Sequence, residues 1–233
     1  MKKANSTPIE RTVQHHQAKN QEGNAVNLAL GFPFGEAFDK DLTELLDSDL
    51  ESTGMNLIVA LIDLDNFDHI NKDFGIEEGD RVLIETGRYI RESAPKTAKV
   101  YRIGGDEFGI VFVGTEEKED IFLFLEGLRR DFPVVAKNDE PISITIGMAT
   151  AFEDANRTPE LIRKADSALF RAKVNGRNRV AMAKEEKMVP KTSHYTQDQL
   201  QRLAVLAKHE GVGEAILLRE ALDMLLKKYD KMI

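Results

Sequence analysis

The run Leu57-Ile58-Val59-Ala60-Leu61-Ile62, followed by Asp63-Leu64-Asp65, decides how this chain folds. Its apolar residues do not alternate with polar ones, so the segment reads as a strand buried on both faces. It ends on carboxylates, and strand ends are where an α/β sheet presents its ligand-binding edge. Ahead of it, Phe38, Leu42, Leu45 and Leu46 recur at helical spacing and predict an amphipathic helix over 38–50. Downstream, the pattern predicts a helix over 78–92, a strand over 99–103, a turn at Gly104-Gly105 and a strand over 108–113, which together read as a hairpin. A helix over 120–131, a strand over 142–149 and a helix over 159–174 complete the alternation. The expected class is α/β (α+β), a mixed central sheet flanked by helices.

At 233 residues and 42% hydrophobic content, the chain buries one core of ordinary domain size and leaves material for a small second module. It has no cysteine, which excludes disulfides and thiolate metal sites, so any metal is held by oxygen or histidine. No segment approaches the roughly 20 apolar residues of a membrane span, and residues 1–27 lack an apolar signal region. A cytoplasmic location without membrane contact is therefore expected. The net charge of -8 is concentrated in residues 31–187, which carry 21 basic and 32 acidic residues. An acidic domain of this kind needs divalent cations to hold a polyphosphate. The polar stretch over 1–26 reads as a flexible tail, in which His15 and His16 are solvated rather than metal ligands.

Alone, Asp63 reads as a cap of a turn or helix. Asp106 and Glu107 change that reading, because they sit in the glycine turn of what should be the neighbouring strand. Glycines there permit positive φ and let a phosphate approach the backbone. Carboxylates converging on one edge suit Mg²⁺, which takes a few carboxylates and lets substrate phosphates complete its octahedron.

Gly104-Gly105-Asp106-Glu107-Phe108 resembles the signature of the GGDEF diguanylate cyclases, and a chance match in a chain of this length is on the order of one in ten thousand. Asp63-Leu64-Asp65-Asn66-Phe67 with Ile70-Asn71, Gly75 and Gly79-Asp80 resembles the first block of that family. Ser143-Ile144-Thr145-Ile146-Gly147 resembles its later strand, and residues 165–173 with Gly176-Arg177-Asn178 its last helix and terminal motif. The resemblance covers 27–184 and implies a nucleotidyl-cyclase-like fold. It also implies condensation of two GTP into cyclic di-GMP, with Mg²⁺, or Mn²⁺ in its place. It implies that Asp63, the Leu64 carbonyl and Asp106 hold metal, and that Asp106 and Glu107 are catalytic. Asn71 and Asp80 would read guanine, Lys173 and Arg177 would neutralise the β- and γ-phosphates, and the amides of Asn66 and Phe67 would cradle phosphate oxygens. The chain departs from the family at Asp68, where a lysine is usual, at Ile76, where a histidine is usual, and over 29–35, where the lead-in segment has lost its polar residues. Pro95 and Ala98 stand where the family has the Arg and Asp of its feedback site.

Past a charged linker at 185–190, residues 191–233 read as a polar strand and two helices separated by Gly211 and Gly213. This unit resembles the ribbon-helix-helix fold, especially over 217–222. The resemblance implies an intertwined homodimer, because about 40 residues cannot bury a core alone. It also implies paired strands in a DNA major groove, with Thr192 and His194 facing DNA and Lys191, Ser193 and Tyr195 facing the core. Lys191 and Ser193 are poor core residues, so DNA contact stays open beside dimerisation. Two functions compete: a diguanylate cyclase dimerised through its last module, and a ribbon-helix-helix DNA-binding regulator whose degenerate GGDEF domain senses GTP or cyclic di-GMP.

Overall fold

The computed structural model describes residues 26–184 and 191–229, which form two compact units divided between residues 184 and 185. The polar stretch over 1–25, with His15 and His16, and the segment 185–190 lie outside the described residues. Among the described residues, no helix is long and apolar enough to cross a membrane.

The first unit runs α1 (Gly35–Leu46), a 3-10 turn (Asp49–Thr53), β1 (Asn56–Leu64), α2 (Phe67–Phe74), α3 (Ile76–Ser93), β2 (Lys99–Arg102), β3 (Glu107–Gly114), α4 (Lys118–Arg130), β4 (Ile144–Thr150), α5 (Thr158–Val174) and β5 (Val180–Met182). The strands order as β2-β3-β1-β4-β5. All neighbours are antiparallel except β4 and β5, which are parallel, so the sheet is mixed as expected.

β1 is buried from Leu57 to Leu64 because helices cover both of its faces. Ile58, Ala60, Ile62 and Leu64 share one core with Val82, Leu83 and Ile90 of α3 and with Ile121, Leu125 and Leu128 of α4. Leu57, Val59 and Leu61 share the other with Phe38 and Leu42 of α1 and with Leu161, Ala165 and Leu169 of α5. Each such side chain contributes roughly 1.5–3 kcal/mol by leaving water, so β1 anchors the unit. Its far end is consequently a rigid place to mount a site.

Two elements were not expected. α2 precedes α3, and Gly75, at φ 89, turns the chain between them. β5 adds an edge strand after α5. The lead-in segment uses its apolar residues as core: Val26, counted above in the tail, is 1% exposed and Leu30 3%. A Cβ on Gly87 of α3 would lie 2.7 Å from Leu30 Cδ1, so a glycine is what lets the segment dock there.

Gly147 in β4 fixes how closely α5 lies on the sheet. A Cβ there would fall 2.3 Å from Ala165 O and 2.3 Å from Leu169 N, both helix backbone. Gly147→Ala should therefore push α5 away and lower stability by about 1–3 kcal/mol or more, read as a shifted urea midpoint. An unchanged midpoint would show that α5 is free to yield.

The second unit contains α6 (Gln197–Glu210) and α7 (Glu214–Tyr229). Thr196 caps α6 in a reciprocal box with Gln199, and Gly211, at φ 65, ends it. Residues 191–196 adopt no regular structure, so the expected strand is absent from the single chain. A strand needs a ladder partner, and the described residues of this unit offer none. Ala207 is buried, but Leu222 (52%), Leu225 (51%), Leu226 (46%) and Tyr229 (43%) form an exposed apolar stripe at helical spacing on α7.

Candidate active site

The antiparallel register sets Asp63, near the end of β1, opposite Glu107 on β3 and Thr145 on β4. The Leu64 N–H donates to the Asp106 carbonyl at 3.3 Å, which ties the Gly104-Gly105 turn to that end of β1. Neither glycine uses the left-handed region that its missing Cβ permits. The need is steric at Gly104, where a Cβ would fall 2.6 Å from Glu107 Oε2, while Gly105 opens to solvent.

Asp63 is only 7% exposed. Burial pushes its carboxyl up to about 7; Lys173 opposes this, and the nearby charges of Asp106 and Glu107 add to it. Lys173, in the last turn of α5, donates from Nζ to Asp63 Oδ2 at 2.8 Å. Burial would lower its pKa, but Asp63, Glu107 and Asp106 outweigh that and raise it. The structure thus gathers Asp63, Asp106, Glu107 and Lys173 at one point, three acids around one cation. Among the described residues, no group of three or more His, Asp or Glu side chains is arranged as a ready cage for a metal.

The corner between α2 and α3 sets Asn71 against Gly79, the residue before Asp80. A Cβ on Gly79 would fall 1.9 Å from Asn71 Oδ1, so the amide rests against α3 where any larger residue would displace it. Asn66, at φ 59, is the exposed N-cap of α2, and Phe67 beside it is buried. Asp68 and Ile76 are both exposed, Ile76 at 53%.

Sequence reasoning missed Arg102. It is 7% exposed and donates from Nη1 to Asn27 Oδ1 at 2.8 Å and from Nη2 to the Gly105 carbonyl at 2.7 Å. Burial lowers its pKa, and the charges of Asp80 and Asp106 oppose that. Arg102 thus lies between the Asp80 corner and the acid cluster, and a lone arginine in a strand pattern gave no signal of it. Arg177 is exposed at φ 58 in the turn after α5. Thr192 and His194 are exposed in the irregular segment before α6.

Residues 32–179 match the family described as diguanylate cyclase, GGDEF domain, and residues 188–230 match the ribbon-helix-helix domain. The diguanylate cyclase DgcP of Pseudomonas aeruginosa is 32% identical over 190 residues, covering 78% of this chain and 28% of that protein. The diguanylate cyclase DgcM of Escherichia coli K12 is 36% identical over 126 residues, 54% of this chain and 30% of that protein. The crystal structure of the GGDEF domain of YfiN (TpbB) from Pseudomonas aeruginosa aligns with a TM-score of 0.63 at 27% identity, over 67% of this chain and 99% of that one. The chain therefore spans less than a third of the length of these curated relatives. It belongs to the GGDEF family of diguanylate cyclases, and a ribbon-helix-helix domain follows the GGDEF domain in its sequence.

Proposed function

We propose that this chain condenses two GTP into cyclic di-GMP and two pyrophosphates, in the cytoplasm, as a homodimer held by residues 191–233. The observation that carries the reading is the gathering of Asp63, Asp106, Glu107 and Lys173 at the end of β1.

Asp63, the Leu64 carbonyl and Asp106 would hold Mg²⁺ or Mn²⁺. The donors are oxygens throughout, as a hard cation requires, and the crowding of acids at Asp63 is what such a charge relieves. When bound, the ion supplies positive charge at the α-phosphate and eases loss of a hydroxyl proton. Asp106, with Glu107, accepts the proton of the 3'-hydroxyl. That oxygen, from the GTP in a facing domain, forms a bond to the α-phosphorus as the bond to pyrophosphate breaks. The same exchange in the opposite sense closes the ring. Lys173 and Arg177 neutralise the β- and γ-phosphates, and the amides of Asn66 and Phe67 receive phosphate oxygens. Asp80 accepts from guanine N1–H and N2–H while Asn71 completes the edge.

Exposed Asp68, in the first turn of α2, favours a second reading in which the domain binds GTP or cyclic di-GMP without turnover. The C-terminal unit then acts on DNA through Thr192 and His194. Both readings expect GTP binding, so chromatography after incubation with GTP and Mg²⁺ separates them. Formation of cyclic di-GMP supports the first, and bound but unconverted GTP supports the second.

Pro95 and Ala98 close a turn in which the Ala98 N–H donates to the Pro95 carbonyl at 2.9 Å. Neither side chain offers the charge that a phosphate or guanine needs. Added cyclic di-GMP should therefore inhibit only by competing with GTP, raising KM at constant kcat. A fall in kcat at saturating GTP would place a feedback site elsewhere on the domain.

A further inference from the structure

Asp65 follows Asp63 by two residues yet does not join the acid cluster. It is 5% exposed, and all of its described partners are neutral donors. Thr145 Oγ1 donates to Oδ1 at 2.6 Å, Ser143 Oγ donates to Oδ2 at 2.7 Å, and the Asn178 N–H donates to Oδ2 at 3.1 Å. The same Asn178 N–H lies 2.9 Å from Thr145 Oγ1. The Asp65 N–H donates to the Ser143 carbonyl at 3.0 Å, which binds the end of β1 to the segment entering β4.

What Asp65 grips is an improbable turn. Gly176, Arg177 and Asn178 have φ of 109, 58 and 46, and consecutive non-glycine residues in the left-handed region persist only where their surroundings hold them. The opposite side is held as well. Arg129 of α4 donates from Nη1 to Asn178 Oδ1 at 2.8 Å and is itself paired to Glu126 at 2.7 Å. Glu126 Oε1 also accepts the Val180 N–H at 3.1 Å, at the start of β5. Asp63 and Arg177 are thereby joined by the short path Asp63, Leu64, Asp65, Asn178, Arg177.

We propose that Asp65 is a positioning residue: it fixes the left-handed turn, and with it Arg177, relative to the end of β1, so that the triphosphate is held at both ends. The inference rests on the reading of Arg177 as a phosphate ligand. Loss of Asp65 then weakens the grip on the β- and γ-phosphates and leaves the guanine contacts of Asn71 and Asp80 alone.

The test uses the full chain with Mg²⁺ and two probes: GTP with a methylene between the α- and β-phosphorus, which cannot condense, and GMP, which lacks the outer phosphates. Affinities are read by calorimetry in Asp65→Asn, Arg177→Ala and their double variant. Thr145→Val serves as a second, milder variant, and melting curves report folding. Expected are a loss on the order of tenfold for the analogue in Asp65→Asn and Thr145→Val, as for one charge-assisted hydrogen bond, with GMP unchanged. The double variant should be no weaker than Arg177→Ala alone. Equal losses for both probes, full additivity with Arg177→Ala, or no loss in Asp65→Asn and Thr145→Val while Arg177→Ala is weakened would overturn the proposal alone. An unaffected Arg177→Ala would overturn both the proposal and the phosphate reading beneath it.

Discussion

Asp106→Asn should lower formation of cyclic di-GMP at least a hundredfold or so, the scale of losing one preorganised group at a reacting centre. The amide keeps the shape of the carboxyl but gives up the charge that would face the metal and the capacity to take a proton. The fold should survive, because the contact that seats the turn is the Asp106 backbone carbonyl, which accepts from the Leu64 N–H and is untouched by the change. The β2–β3 register, from Lys99 opposite Val111 to Arg102 opposite Phe108, also lies outside the substituted side chain. The check is specific activity together with a melting curve. A variant that melts like the parent and still turns over GTP would remove Asp106 from the chemistry. A variant that unfolds would show that the side chain carries structural weight not visible in its surroundings.

Deleting residues 188–233 should lower activity at micromolar protein by roughly a hundredfold, because condensation needs two domains face to face and each holds one GTP. A dimeric tether raises their mutual concentration to about the millimolar range, whereas free domains meet only at their bulk concentration. The exposed stripe Leu222, Leu225, Leu226 and Tyr229 is the surface a second copy would cover. Leu225→Glu should imitate the deletion, since an unpaired charge in an apolar interface costs several kcal/mol. Leu225 is 51% exposed in the single chain, so the substitution leaves the chain's own packing intact. The measurement is specific activity across a dilution series beside mass by light scattering. The parent should vary little with dilution and both variants steeply. Monomeric variants with undiminished activity at every dilution would deny the C-terminal unit its role as dimeriser.

The central strand was legible in sequence because burial on both faces leaves an unbroken apolar run, and its acids were legible because polar residues stand out at its end. α2 escaped because it is short and buries only Phe67 and Ile70, too few apolar positions to establish a helical period. β5 escaped because a strand over Val180–Met182 looks like the tail of the preceding turn. The lead-in segment, which lacks the family's polar residues, supplies Leu30 and Phe32 to the core instead. Gly79 and Gly104 make room for the side chains of Asn71 and Glu107. Gly147 makes room for the backbone of α5 at Ala165 and Leu169, which are distant in sequence and leave no local trace. The pairing of Asp65 with Asn178 is of the same kind, since its partners lie far along the chain. The strand expected before α6 is missing because residues 191–196 have no ladder partner among the described residues of their own unit.

The most direct test is product stoichiometry: the full chain is incubated with GTP and excess Mg²⁺, and cyclic di-GMP and pyrophosphate are quantified together, with a parallel sample in EDTA. The expected result is two pyrophosphates for each cyclic di-GMP, with neither formed in EDTA. Pyrophosphate without cyclic product, or bound GTP recovered intact from the Mg²⁺ sample, would contradict the assignment of Asp63, Asp106 and Lys173 to a condensing site.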